Sequence, residues 1–405
     1  MDDNGAPPLL VAVGLAFFTI VVVTARLGWA EAGIIVAVVG LLMRPQQLRF
    51  PAPFWWAMAL IAWSLATSPS AMAPEIARAT AIDRLKVLVV FLVVVNALRT
   101  ERHLRLYILL ILACFMLSPA RGTLLNYFSG YTTFGRALWN KIYSNPNDLA
   151  AMSLLALGIA LAVLFNTQEQ KVVRWCCAGS AFLLVTIILL TQSRGVFIGM
   201  CLGMGPLAVG LMWGRPKVIA SVLALMAVGA LLIPGAVWTR LSGIGKLTST
   251  STIAQADAEG SASQRWEIQK TAFKIFVDYP VAGVGLGCYP LANKLYSPKL
   301  GTRDTHNTYL NLAAELGVPG LLLWLALIAS VFRHWRRAKR ALLVSNIDRL
   351  GVAMHAIWIE RAIVGFLVAS LFGSYSGITM LYLMLGILWS AASLVQRAVP
   401  PPRTL

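Results

Sequence analysis

Residues 146–194 read PNDLAAMSLLALGIALAVLFNTQEQKVVRWCCAGSAFLLVTIILLTQSR. The stretch contains two long apolar runs, near residues 147–165 and 175–191, joined by a short polar connection. Each run approaches the about 20 apolar residues that an α-helix needs to cross the hydrocarbon core of a bilayer. Neither run alternates apolar and polar residues in the manner of a membrane β-barrel strand. The stretch therefore predicts a pair of membrane-spanning helices.

The composition of the whole chain agrees with this class of protein. Of its 405 residues, 58% are hydrophobic and only 12% are charged, and the mean hydropathy is +0.74. Soluble domains carry about 25% charged residues, and disordered chains are poor in apolar residues, so both classes are excluded. The net charge of +18 is explained by basic loops on the cytoplasmic side of a membrane protein, and no nucleic-acid partner is expected.

Apolar runs recur along the chain and predict an all-α polytopic membrane protein with about 12 transmembrane helices. Nine of them are expected within residues 1–237, the polar stretch 238–308 forms one long loop, and residues 309–405 contain three more helices and a tail. A second irregular stretch is expected over residues 119–146. The runs lie near residues 8–24, 27–43, 53–67, 85–98, 104–118, 147–165, 175–191, 195–213, 217–237, 309–332, 352–373 and 377–396.

Lysine and arginine are distributed unevenly between alternate loops and concentrate at residues 333–337. The positive-inside rule assigns such loops to the cytoplasm. With twelve spans both termini are then cytoplasmic, and the long loop lies on the outer side of the membrane. Arg121, Arg136 and Arg194 follow the fifth and seventh predicted spans and emerge on that same outer side. These arginines and the long loop can therefore form one site although they are far apart in the sequence.

A histidine, His306, lies at the end of the long loop and directly precedes the tenth predicted span. Thr305 or Asn307 can cap that helix, and its first backbone N–H groups then face whatever lies beside His306. A helix start with nearby arginines, here including Arg303, is suited to bind an anion, and a neutral histidine can act as a general base. Most histidines in loops have no catalytic role. The argument for a catalytic role of His306 is therefore its position beside a helix start and several arginines.

Residues 264–276 predict an amphipathic helix inside the long loop, lying on the membrane or on the helix bundle. Arg265 stands at its start. The expected apolar face consists of Trp266, Ala272, Phe273, Phe276 and Val277. Arg194, at the end of the seventh span, has two interpretations: its side chain reaches the membrane interface, or its guanidinium binds phosphate without a metal.

Three other patterns have weaker functional interpretations. The segment Gly283-Val284-Gly285-Leu286-Gly287 resembles a phosphate-binding loop, but no βαβ unit surrounds it, so a tight turn is favoured. The adjacent Glu360 and Arg361 lie in the eleventh span, where they are either functional or a mutually neutralised structural pair. The five cysteines form no Cys-x-x-Cys pair, and the outer loops contain no Asp-x-Asp pair, so neither a metal nor another cofactor is expected.

Taken together, several of these motifs resemble the O-antigen ligase and polymerase superfamily. They keep the superfamily's order over roughly residues 143–320. The motifs are Asn145-Pro146-Asn147-Asp148-Leu149-Ala150, Ser193-Arg194-Gly195, Arg265-Trp266, the glycine segment 283–287, His306-Asn307-Thr308-Tyr309-Leu310 and Glu315-Leu316-Gly317-Val318-Pro319-Gly320.

The resemblance implies a GT-C-like membrane glycosyltransferase in the inner membrane of a Gram-negative bacterium, with its site facing the periplasm. Among the superfamily, the ligases are the most similar. They transfer a polysaccharide from undecaprenyl diphosphate to a sugar of lipid A–core, without a metal. The resemblance implies catalytic roles for His306, Arg194 and Arg265, and substrate contacts for Arg303, Asn307, Arg121 and Arg136. Two alternatives stay open: an O-antigen polymerase, and more distantly a lipid or glycan transporter.

Overall fold

The computed structural model describes residues 9–25, 29–212, 261–344 and 351–399. Regular structure within these ranges is helical, apart from one isolated bridge between Thr133 and Arg136. The α-helices are α1 (Leu9–Thr24), α2 (Ala30–Leu42), α3 (Ala52–Thr67), α4 (Pro74–Ala97), α5 (Glu101–Phe115), α6 (Arg121–Phe128), α7 (Pro146–Leu164), α8 (Lys171–Leu190), α9 (Arg194–Met212), α10 (Ser261–Asp278), α11 (Tyr289–Tyr296), α12 (Thr308–Val344), α13 (Gly351–Ala369) and α14 (Thr379–Ala398).

The helices match the hydropathy pattern. Each predicted apolar run coincides with a helix, except the run 217–237, which lies outside the described residues. In the part of the chain that the structure describes, seven helical segments are long and apolar enough to cross a membrane, and α1 and α2 are shorter apolar helices. The chain is therefore a helical membrane protein. The count of twelve spans and the orientation stay predictions.

The fifth apolar run belongs to a longer helix than predicted. α5 continues through a π-helical turn, Met116–Ala120, into α6, so Glu101–Phe128 is one segment of 28 residues. Pro119 has no N–H to donate and its ring crowds the preceding turn; the wider π turn accommodates both effects. The prediction of an irregular stretch over 119–146 is therefore wrong for residues 119–128, and the irregular segment begins after Phe128.

α4 begins at Pro74, well before the apolar run near residue 85. Proline is favourable in the first turn because its missing N–H would have no partner there, and Glu75 complements the positive end of the helix dipole. The first half of α4 remains polar, with an exposed ion pair between Asp83 and Lys86 at 3.0 Å. Hydropathy alone therefore located only the second half of this helix.

Small residues allow the helices to approach closely, as in other membrane bundles. α7 lies at the centre, with most of its side chains buried, and α13 packs against both α7 and α9. A Cβ atom added at Gly199 would lie 2.3 Å from Gly365 O, so neither helix tolerates a larger residue at this crossing. The central position of α7 brings its N-terminal end, at Pro146, beside the ends of several other helices.

α12 is kinked near its N-terminal end. Gly317 adopts φ 68° and ψ −170°, a conformation that glycine takes far more readily than other residues, and Pro319 follows it. Because Pro319 has no N–H, the carbonyl oxygen of Glu315 has no donor from its own helix. The carbonyl of Leu316 also bonds outside the helix: it accepts from Trp63 Nε1 of α3 at 2.9 Å.

The glycine segment 283–287 supplies donors to the kink. Val284 N donates to Ala314 O at 3.0 Å, and Gly285 N donates to Glu315 O at 2.9 Å. All three glycines of the segment have positive φ, which lets the chain turn this tightly against α12. Two main-chain N–H groups that a phosphate would need are thus used for packing, which agrees with the favoured interpretation as a tight turn.

α10 is the amphipathic helix expected in the long loop, but the predicted apolar face is partly wrong. Its buried face packs against α11 and α12. That face contains Ile268, Ala272 and Ile275. Three of the residues expected to share one packed face are exposed: Trp266, Phe273 and Val277. The helix carries two apolar stripes, and helical periodicity does not show which of them contacts the protein.

Candidate functional site

His306 lies in the short segment between α11 and α12, one residue before the N-cap of α12. Asn307 is that cap: its Oδ1 accepts hydrogen bonds from Tyr309 N at 3.0 Å and Leu310 N at 3.1 Å. His306 has a φ of 51°, in the left-handed region that non-glycine residues rarely occupy. Such backbone strain persists only where the surroundings hold the chain firmly.

The connection between α13 and α14, residues 370–378, holds the chain on both sides of His306. Thr305 Oγ1 and Ser374 Oγ are hydrogen-bonded at 2.9 Å. Thr308 Oγ1 donates to Gly373 O and accepts from Tyr375 N, both at 2.7 Å. Threonine hydroxyls on either side of His306 therefore tie it to a segment some 70 residues away in the sequence.

The surroundings of His306 favour its neutral form. Burial lowers the pKa of its imidazole, and so do the nearby positive charges of Arg265 and Arg303, while Asp304 acts in the opposite direction. A neutral imidazole has one nitrogen that can accept a proton. The lowered pKa therefore favours a His306 that can act as a base at neutral pH.

Arg265, near the start of α10, is close enough to His306 to affect its pKa. It also affects Tyr375, together with Arg136 and Asp148: burial and the negative charge of Asp148 raise the pKa of the Tyr375 hydroxyl, and the two arginines oppose that rise. The long loop, the α13–α14 connection, the start of α7 and the segment between α6 and α7 thus converge at one end of the bundle.

Arg136 joins two of these parts directly. Its Nε donates to Thr191 O at the end of α8, and one terminal nitrogen donates to Asn147 Oδ1 at the start of α7, both at 2.8 Å. The Tyr375 hydroxyl donates to Asn147 O at 3.3 Å. Arg136 therefore positions the start of α7 beside the segment that holds His306.

Arg194 is the first residue of α9 and lies next to the same α13–α14 connection. The turn before it contains Gln192 with a φ of 52°, and Gln192 Nε2 donates to Gly135 O at 3.1 Å. Gly195 packs so closely against Phe372 that an added Cβ would come within 2.5 Å of its side chain. The start of α9, which carries Arg194, therefore lies against the same connection that holds His306.

The remaining predicted residues are placed differently from one another. Arg303 is exposed and contributes positive charge near His306. Arg121 is exposed at the start of α6, and no hydrogen bond or ion pair joins its side chain to another described residue. The contribution of Arg121 to the site therefore stays a prediction.

Three side chains of this site were not predicted as functional. Asp148 and Asp304 are electrostatically coupled, and Tyr375 is almost fully buried beside Asp148. Asp148 lies in the quoted Asn145–Ala150 motif and Asp304 is two residues from His306, so a sequence signal existed for both. Tyr375 has none, because it follows a different span. Among the described residues, no group of three or more His, Cys, Asp or Glu side chains is arranged to hold a metal ion.

Comparison with known families adds a decisive observation. Residues 179–325 match the family model described as O-antigen ligase. Over these residues the chain is similar to O-antigen ligases. The segment contains Arg194, Arg265, Arg303, His306 and Asn307. The match confirms the resemblance to the superfamily for the motifs within residues 179–325, and the motif at residues 145–150 lies outside it. No curated protein matches the chain.

The O-antigen ligase segment supplies only part of the site. It extends from α8 to the middle of α12, whereas Arg136, Asp148 and Tyr375 lie outside it. The start of α7 and the α13–α14 connection therefore contribute further residues to the site, because the packing of the helices places them beside the segment.

Proposed function

We propose that this protein is an O-antigen ligase that transfers a polysaccharide from undecaprenyl diphosphate to a sugar of lipid A–core. The observation that carries the proposal is the position of His306 at the start of α12, near Arg265, with both residues inside the segment that matches the O-antigen ligase family model. A histidine base suits the removal of a proton from a sugar hydroxyl, and arginine suits the binding of a diphosphate.

In the proposed mechanism, His306 accepts the proton of the acceptor hydroxyl as its oxygen attacks the anomeric carbon of the donor. The new bond joins that oxygen to the anomeric carbon, and the bond from the carbon to the diphosphate oxygen breaks. The leaving undecaprenyl diphosphate takes the bonding electron pair. Direct attack of this kind inverts the anomeric centre. General-base catalysis contributes about 10²–10⁴-fold to such a step.

Arg194 and Arg265 would bind the diphosphate and stabilise the negative charge that develops as it leaves. Preorganised charge of this kind is usually the largest catalytic contribution, and the reaction requires no metal. Arg303, Arg121 and Arg136 would add positive potential for the anionic donor. Asn307 would contact substrate through its amide nitrogen, since its Oδ1 caps α12. Arg136 would act mainly by positioning Asn147.

The proposed setting is the inner membrane of a Gram-negative bacterium. Both termini would be cytoplasmic, the site would face the periplasm, and membrane lipids would surround the bundle. Two features support this orientation: the basic residues near 333–337, and the location of the His306 region at the opposite end of α12 from them. The exposed stripe of α10 would then lie at the outer surface of the membrane, where the helix can cover a bound lipid.

The test is a transfer assay with the purified protein, undecaprenyl-diphosphate-linked polysaccharide and lipid A–core, in EDTA. Wild type should form glycan-bearing lipid A, and His306→Ala should lose about 10²-fold or more of the rate. Arg194→Lys should also lose activity, because lysine cannot form two parallel hydrogen bonds to a phosphate. His103→Ala, which removes a histidine from the start of α5, is the matched control and should retain transfer.

Two results would overturn the proposal. Full activity of a folded His306→Ala protein would remove the base from the mechanism. Longer lipid-linked chains formed without lipid A–core would identify a polymerase, the other activity of the superfamily.

A further inference from the structure

A pocket lies at the end of the bundle opposite His306. It is a small cleft, partly open to solvent, between the C-terminal ends of α4 and α14 and the connection between α2 and α3. α14 begins beside the connection that holds His306, and its residues that line the pocket, from Trp389 to Arg397, lie about 15–27 Å farther along the helix. The pocket is therefore separate from the site described above.

The polar lining of this pocket is basic. Arg49 and Arg397 are exposed residues of the lining, and no hydrogen bond or ion pair joins either guanidinium to another described residue. Ser390, which also lines the pocket, is only 3% exposed, and its Oγ has no hydrogen-bond partner. A buried hydroxyl without a partner costs free energy, so its presence in a basic pocket indicates a ligand that accepts its hydrogen bond.

The pocket is preorganised. Trp389 in its lining stacks on His334, with ring centroids 3.9 Å apart and an interplanar angle of 17°. Ser393 Oγ is hydrogen-bonded to His334 Nε2 at 2.9 Å. Asn96 fixes the main chain of Arg49 from both sides, accepting from its N–H at 2.9 Å and donating to its carbonyl at 3.0 Å. The main chain of Arg49 is therefore held in place, and its side chain is the part of this residue that can adjust to a bound anion.

We propose that this pocket binds the phosphate group of an anionic phospholipid. Arginine and serine are the side chains that bind phosphate oxygens, and basic pockets between membrane-spanning helices bind the head groups of anionic lipids. The rest of the lining consists of the aliphatic side chains of Val95, Leu98 and Leu394, which suit the glycerol and acyl parts of a lipid. Inorganic phosphate shares the anionic chemistry but gains nothing from that apolar lining.

The test measures lipid binding to the purified full chain in neutral detergent by native mass spectrometry. The probes are phosphatidylglycerol, diacylglycerol, which has no phosphate, and inorganic phosphate. Phosphatidylglycerol should bind more tightly than either of the others. The double variant Arg49→Gln/Arg397→Gln should bind it about tenfold more weakly. The matched control Arg333→Gln/Arg336→Gln removes two exposed arginines near the C-terminal end of α12 and should bind it as wild type does.

Ser390→Ala provides an independent test. It should weaken phosphatidylglycerol binding but leave the unfolding temperature of the lipid-free protein unchanged or higher, because it removes a buried hydroxyl that has no partner. A purely structural serine would give the opposite stability result. The proposal would be overturned if Arg49→Gln/Arg397→Gln and Arg333→Gln/Arg336→Gln lost phosphatidylglycerol affinity equally. It would also be overturned if inorganic phosphate bound as tightly as the lipid.

Discussion

The charge state of His306 depends on a few groups with opposite effects. Burial, Arg265 and Arg303 lower the pKa of its imidazole, and Asp304 raises it. A base must be neutral to accept a proton, so transfer should fall as the pH decreases through the pKa of His306. Because the net shift is downward, this loss is expected below the usual histidine pKa of about 6.5.

The fall of activity at low pH is the acidic limb of the pH profile. Two substitutions should move this acidic limb in opposite directions. Arg303→Gln removes a positive charge and raises the pKa of His306, so activity is lost at a higher pH. Asp304→Asn removes the negative charge and lowers the pKa, so activity persists to a lower pH. Asparagine keeps an Oδ1 that can accept the hydrogen bond which Thr305 N donates to Asp304, at 2.8 Å, so the local structure is preserved. The measurement is kcat/KM for transfer as a function of pH.

Lys299→Gln is the control for these charge changes. Lys299 is exposed in the same loop but is not among the groups that shift the pKa of His306. Its pH profile should match that of wild type. Acidic limbs that move in the same direction in Arg303→Gln and Asp304→Asn would contradict the assignment of His306 as the titrating base.

At the scale of elements, the kink of α12 determines where the long loop is attached. The kink leaves carbonyl groups of α12 without helical partners, and the glycine segment 283–287 donates to two of them. Val318 N, beyond the kink, donates to Pro280 O at 2.8 Å. The end of α10 and the start of α12 are thereby held together, and this arrangement fixes Arg265 relative to His306.

Gly317→Ala should therefore destabilise the protein and reduce transfer. Alanine is strained at a φ of 68°, and its Cβ would come within 2.0 Å of Val281 O. The strain alone costs about 1–3 kcal/mol. The apparent unfolding temperature in detergent should fall. Gly179→Ala in α8, where an added Cβ meets no atom within 4 Å, should leave it unchanged or raise it. Equal stability of the two variants would show that the kink has little importance.

At the scale of the whole molecule, the orientation in the membrane determines which end of the bundle faces the cytoplasm and which faces the outer side. The predicted topology places Lys294, at the end of α11, outside and Arg336, in the C-terminal part of α12, inside. Both residues are exposed. A protein with Cys176 and Cys201, the exposed cysteines of the described residues, replaced by serine provides a suitable background.

Single cysteines at these two positions should react differently with a membrane-impermeant maleimide. Lys294→Cys should be labelled in intact spheroplasts, and Arg336→Cys only after lysis. The reverse pattern would show that both termini and the His306 site are on the sides opposite to those predicted.

The sequence by itself determined the class of protein, the positions of most helices, the cap of α12 and the family motifs around His306. These features depend on residues within a few turns of one another, so hydropathy, capping residues and short motifs identify them. These local rules did not predict that the helix continues past Pro119, because a π turn accommodates the proline.

Only the tertiary structure decided which distant segments meet. It brought Tyr375 and Asp148 to the His306 region, and it selected Ile268, Ala272 and Ile275 as the packed face of α10. Two stripes on one helix have similar apolar character, and a tyrosine after another span has no local signal. Their roles follow from the packing of helices far apart in the chain, which depends on the shapes of both partners.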